Sequence, residues 1–107
     1  MKLVRPVIMM LAVAFLLAAT TCVYAQDDAA ALYKSKCQIC HGADGKGDTP
    51  MGQKLGVKDF HSPEVAKESD AELFDAIKKG KGKMSGYDGK LTDDQIKSLV
   101  KYIRSLK

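Results

Sequence analysis

The sequence predicts an all-α fold, with three to four short helices gathered around a group that the chain itself does not supply. Three observations lead there. Apolar residues recur at helical spacing behind recognisable N-caps. No stretch alternates well enough to be read as a strand. The connecting segments Gly42–His61 and Gly80–Gly89 are rich in glycine and lysine and hold too few apolar residues to make a core. With 107 residues, there is room for one small domain.

The first segment stands apart from that domain. Lys2 and Arg5 precede an uncharged apolar run from Val7 to Ala19, and small and polar residues then lead to Val23-Tyr24-Ala25. This is the layout of a secretory signal peptide over residues 1–25, cleaved after Ala25, which leaves residues 26–107 as the mature domain. The alternative is a retained membrane anchor, because the uncharged stretch from Val7 to Ala25 approaches the ~20 residues that a span needs. Cleavage removes Cys22, whose preceding Ala19-Thr20-Thr21 is a poor context for lipidation.

Cleavage also changes the charge and the cysteine count. Losing Lys2 and Arg5 from 17 basic residues against 13 acidic ones lowers the formal charge from +4 to +2, too little to point to a nucleic-acid partner. The cysteines that remain are Cys37 and Cys40. Exported domains this small are often stapled by several disulfides, but a bridge between residues three apart closes almost no loop and constrains little.

Each helix has its own signals. Asp27 or Asp28 caps a first helix that runs through Ala29, Leu32 and Tyr33 into the cysteines. Ser62-Pro63 reads as the cap and first-turn proline of a short helical segment. Ser69 and Glu72 form a capping box for a helix with Leu73, Phe74 and Ile77 on one side and Gly80 as its stop. Thr92 and Gln95 form a second box, with Leu91 and Ile96 in the staple positions. Behind it Ile96, Leu99, Val100, Ile103 and Leu106 make one apolar face, the strongest helix in the chain.

The chemistry sits in residues 37 to 47, CQICHGADGKG. Three readings compete for Cys37, Cys40 and His41. A structural zinc site needs about four ligands, and His61 is the other histidine, with no further cysteine to close it. A thioredoxin-like redox pair belongs at a strand-to-helix turn in a βαβ unit, which this helical pattern does not offer. Covalent attachment of c-type haem needs this spacing, with the histidine directly after the second cysteine. The two thiols add to the haem vinyl groups, the adjacent imidazole coordinates the iron, and the porphyrin becomes the missing core.

Together, ALYKSKCQICHGADGKG, SDAELFDAIKKGKGKM and GYDGKLTDDQIKSLVKYIR give residues 28 to 107 a resemblance to the small bacterial monohaem class I cytochromes c. The resemblance implies a small cytochrome c fold wrapped around one covalent haem, its N- and C-terminal helices crossing where Ala29 and Tyr33 meet Leu99 and Tyr102. Ala29 stands where glycine is commoner. The family's sixth iron ligand is a methionine on the loop between the last two helices, and Met84 matches it; by residue type alone, His61 and Met51 are the other candidates. A loop flanked by Gly80, Gly82 and Gly86 can also come close to a flat ring. The carbonyl that receives the other nitrogen of the axial histidine belongs, in short family members, to a proline, which points to Pro50. Ser85 departs from the proline that often follows the axial methionine, leaving that loop less rigid.

Iron held by His41 and Met84 has no open position, so the resemblance implies a single-electron carrier and no enzyme. Axial ligands move a haem potential over about 0.8 V. The expectation is a soluble, monomeric periplasmic protein that exchanges electrons with redox-protein donors and acceptors, without nucleic-acid or small-molecule substrates. Lys36, Lys81 and Lys83 are candidates to ring the haem edge and steer acidic partners. Two alternatives remain: a peroxidase or gas sensor whose methionine ligand leaves, and a fixed cytochrome subunit of a larger oxidoreductase.

Overall fold

Side-chain caps set where four of the helices begin. The computed structural model describes residues 28–107; the expected signal peptide, Cys22 and the candidate cap Asp27 lie outside them. Helix α1 covers residues 28–36 and, after a turn at Cys37, continues into the short α2 (Gln38–His41). Then follow α3 (Pro50–Leu55), α4 (Pro63–Ala66), α5 (Asp70–Lys79), a hairpin of β1 (Gly80–Lys81) and β2 (Met84–Ser85), and α6 (Asp93–Ser105). Both expected capping boxes are closed in each direction, Ser69 with Glu72 and Thr92 with Gln95. Ser62 caps α4 through the Val65 amide.

Two elements were not expected. Helix α3 lies inside the stretch read as a loop: Thr49 accepts from the Gly52 amide and Pro50 takes the first turn, while Gly56, at φ 68°, ends it. Six residues are too few to show an apolar period, so only the cap betrays such a helix. The hairpin pairs Gly80 with Ser85 and Lys81 with Met84. Gly82 takes φ 58° at the first central position of the two-residue turn, where the favoured hairpin turns need positive φ. Two residues per strand leave no alternation for the sequence to display.

The core lies where α1, α5 and α6 meet. Tyr33 is 1% exposed, and Ile96 and Leu99 are fully buried. Burying such a side chain contributes ~1.5–3 kcal/mol, more than the ~1 kcal/mol of a cap, so packing holds α6 and the box only fixes where it starts. The Tyr33 and Tyr102 rings meet at 5.1 Å, tilted by 52°, which brings α1 onto α6 as expected. Ala29 is buried as well. Helix α5 packs along α6, and α2 packs on α3.

Candidate cofactor site

Cys37, Cys40 and His41 lie within one helical turn, at positions i, i+3 and i+4. The Cys37 amide still bonds back to the Tyr33 carbonyl at 2.9 Å, and the Cys37 carbonyl accepts from Cys40 at 3.2 Å and His41 at 3.0 Å. Positions i, i+3 and i+4 share a helix face, so both thiols and the imidazole are offered to the same side. Gly42 then reverses the chain at φ 82°. Its carbonyl accepts a 2.6 Å hydrogen bond from the buried Tyr33 hydroxyl, tying the end of the motif to the helix that leads into it.

The neighbouring helix α3 braces this turn. The Thr49 hydroxyl stands 2.8 Å from the Ile39 carbonyl and 3.0 Å from that of Cys40, and its oxygen accepts from the Gly52 amide at 2.9 Å. Gly52 lets α3 approach, since a side chain there would run into the carbonyl oxygens of Cys40 and Gly47.

Both cysteines are free and half-buried. Burial pushes the Cys37 thiol up to about 11, Lys36 opposes the rise and Cys40 adds to it. Such a thiol stays protonated at neutral pH, unlike the lowered thiolates of redox-exchange motifs. Burial lowers the affinity of His41 for a proton, which favours the neutral imidazole that binds metals. The His41 ring stacks on Phe60, with centroids 4.7 Å apart and planes at 24°. Its Nδ1 is buried without a hydrogen-bond partner. Buried polar atoms are normally satisfied, so this nitrogen still lacks the carbonyl acceptor that an iron-binding imidazole uses to fix its orientation. The neutral ring and the two thiols of the same turn are the donor set that c-type haem needs. Among those residues, no three of His, Cys, Asp and Glu come together as a metal-holding group.

Met84 opens β2, partly buried, and it packs with Cys37 against the same core cluster. The glycines around it serve the hairpin itself. A side chain at Gly80 would sit 2.7 Å from the Met84 carbonyl oxygen, and one at Gly86 would sit 2.5 Å from that of Lys78. The other two candidates are placed differently. Met51 is 41% exposed. His61 has both ring nitrogens engaged, Nδ1 with Asp59 at 2.7 Å and Nε2 with the Leu106 carbonyl at 2.9 Å. Pro50 is exposed at the first position of α3 and makes no hydrogen bond to His41 Nδ1 here. Of the three lysines, Lys81 bonds Glu68 at 2.7 Å, while Lys36 and Lys83 are exposed.

Thr49, Gly52, Phe60 and Tyr87 were not anticipated. Thr49-Pro50 carries the same cap-and-proline signal as Ser62-Pro63 and was legible. Phe60 and Tyr87 are single aromatics in loops and gave no periodic signal.

The model of a family described as cytochrome C oxidase, cbb3-type, subunit III, matches residues 25–103. Two solved structures are similar. One is the KustC0563 c-type cytochrome, 36% identical, with a TM-score of 0.66 over 73% of this chain and 95% of its own. The other is a point mutant of Kustc0563, 35% identical, with a TM-score of 0.67 over 75% of this chain and 99% of its own. No curated protein matches.

Proposed function

We propose, since the chain belongs to the family described as cytochrome c oxidase, cbb3-type, subunit III, and is a small monohaem cytochrome c, that it is an exported single-electron carrier with His41 and Met84 as its axial ligands. The family carries covalent c-type haem, which supplies a one-electron iron couple. Cys37 and Cys40 would hold it through two thioethers, and His41, on the same turn, would supply an imidazole to its iron. The hydrogen bonds of Tyr33 and Thr49 and the close approach at Gly52 brace that turn.

The observation that carries the reading is the packing of Cys37 and Met84 on one core cluster. Both side chains rest on that apolar core, which supports a site that takes in the attachment turn and the methionine loop. His61 is a poorer sixth ligand, because coordination would break its bonds to Asp59 and Leu106. Met51 lacks the core contact that Met84 makes. An apolar setting for a thioether and an imidazole favours the less charged ferrous state and raises the potential. Pro50 is the candidate acceptor for His41 Nδ1 in the haem-loaded protein.

Export to the periplasm follows from the layout of residues 1–25. No helix among the described residues is long and apolar enough to cross a membrane. Lys36 and Lys83 offer positive charge beside the motif and the methionine loop, and they steer acidic redox partners. The pairing with Glu68 weakens the contribution of Lys81.

Haem staining after denaturing electrophoresis tests attachment. Stain stays with the wild-type polypeptide and is lost when Cys37 and Cys40 are both replaced by alanine. Stain at the dye front for the wild type overturns the reading.

A further inference from the structure

Ser85 leaves the methionine loop without a stiff neighbour, so something else must hold Met84 in place. The hairpin returns to α5 through two amides, Tyr87 to the Ile77 carbonyl at 2.9 Å and Asp88 to the Lys78 carbonyl at 3.0 Å. The Tyr87 carbonyl accepts from Lys90 and Leu91, both at 3.0 Å. These bonds anchor the loop to α5 and to the start of α6. A separate bond reaches across the fold: the Tyr87 hydroxyl donates to the Lys36 carbonyl at 3.1 Å, over a sequence separation of 51 residues. Lys36 ends α1 and directly precedes Cys37. The Tyr87 ring packs on the same core cluster as Met84 and Cys37.

We infer that Tyr87 is the positioning residue of the methionine loop, its hydroxyl clamping the Met84 side of the site to the last carbonyl before the attachment turn. The inference rests on Met84 being the sixth ligand. Burial holds the phenol above its ordinary pKa, so it stays a donor throughout the physiological range, and its bond to Lys36 places it beside the attachment turn. Tyr87 does not touch iron in this role. It restricts how far β2 can swing.

Release of the methionine is then the step that loss of the hydroxyl accelerates. A neutral hydrogen bond contributes about 1 kcal/mol net, which is about fivefold in an opening equilibrium. The test uses the haem-loaded protein in three forms: wild type, Tyr87→Phe and Tyr33→Phe. Tyr33→Phe is the control, because it removes another phenol bond, to the Gly42 carbonyl, on the histidine side of the site. Ferric proteins are mixed with cyanide, whose capture is limited by methionine departure, and the long-wavelength thioether band and urea midpoint are recorded in parallel.

Tyr87→Phe keeps the band at rest and captures cyanide about fivefold faster; Tyr33→Phe lowers the urea midpoint without that acceleration. Equal rates for wild type and Tyr87→Phe, with the band present in both, overturn the clamp and leave Met84 as ligand. Equal acceleration in both variants also overturns it, since general destabilisation then explains the effect. A wild type without the band removes Met84 as ligand and the clamp with it.

Discussion

Gly52→Ala sets helix propensity against packing, and the two have opposite signs. Alanine is favoured over glycine in a helix by ~1 kcal/mol, and Gly52 lies inside α3 without positive φ. Propensity alone therefore predicts a more stable protein. The new Cβ, however, would meet the Cys40 carbonyl oxygen, with the Gly47 oxygen at 2.5 Å and Thr49 Oγ1 at 2.9 Å. Ordinary contact begins at 3.4 Å, so the Gly47 oxygen alone must withdraw by about 0.9 Å. Two of the obstacles are backbone and cannot rotate aside, which places the cost at the upper end of ~1–3 kcal/mol for overpacking. The balance is a net loss of ~2 kcal/mol, or a fall of ~10 °C in Tm for a domain of this size. Reversible thermal unfolding of the haem-loaded protein, followed by far-ultraviolet circular dichroism, measures it. An unchanged or higher Tm refutes the idea that α3 is pressed against the attachment turn.

Three further outcomes are expected. Leu99→Ala, in the fully buried centre of α6, lowers stability by ~2–5 kcal/mol in urea unfolding; a loss below 1 kcal/mol contradicts the packing of α1, α5 and α6 around it. The bridge from Asp59 through His61 to Leu106 needs both ring nitrogens to donate, hence a protonated imidazole. Hydrogen bonds to Asp59 and to the Leu106 carbonyl raise the His61 pKa above 6.5, so its contribution is fully present below that value and fades as pH rises through the folded one. The amide and ring of His61 lower the Asp59 pKa below 3.8, so its contribution is present above that value and is lost as pH falls through the folded one. Tm should thus decline as pH rises above 6.5 in the wild type and more shallowly in His61→Gln; parallel slopes reject the bridge. Charge reversal at Lys36 and Lys83 slows electron transfer to an acidic partner more at low than at high ionic strength, and rates that ignore salt deny them a steering role.

The legible parts of the fold were those with a local chemical signature. Capping boxes at Ser69 and Thr92 announce themselves within four residues, and the face from Ile96 to Leu106 repeats often enough to be read. The attachment motif is equally local, which is why Cys37, Cys40 and His41 stood out. Contacts between distant segments leave no such trace. Nothing in the sequence near Phe60 says that it stacks on His41, and nothing near Tyr87 says that it reaches Lys36. The glycines illustrate the same limit: their abundance around Met84 was visible, but that Gly80 lets the hairpin's own strands close and Gly86 lets the hairpin approach α5 depends on tertiary geometry.

The central claim is that Met84 and His41 together close the iron to outside ligands, making the protein a carrier. The absorption spectrum of the ferric protein, wild type beside Met84→Ala, tests it most directly. The account predicts a weak long-wavelength thioether charge-transfer band in the wild type, unchanged by Met51→Ala or His61→Ala and abolished by Met84→Ala, which also lowers the potential. A wild type that lacks the band and whose ferrous form takes up carbon monoxide readily contradicts it.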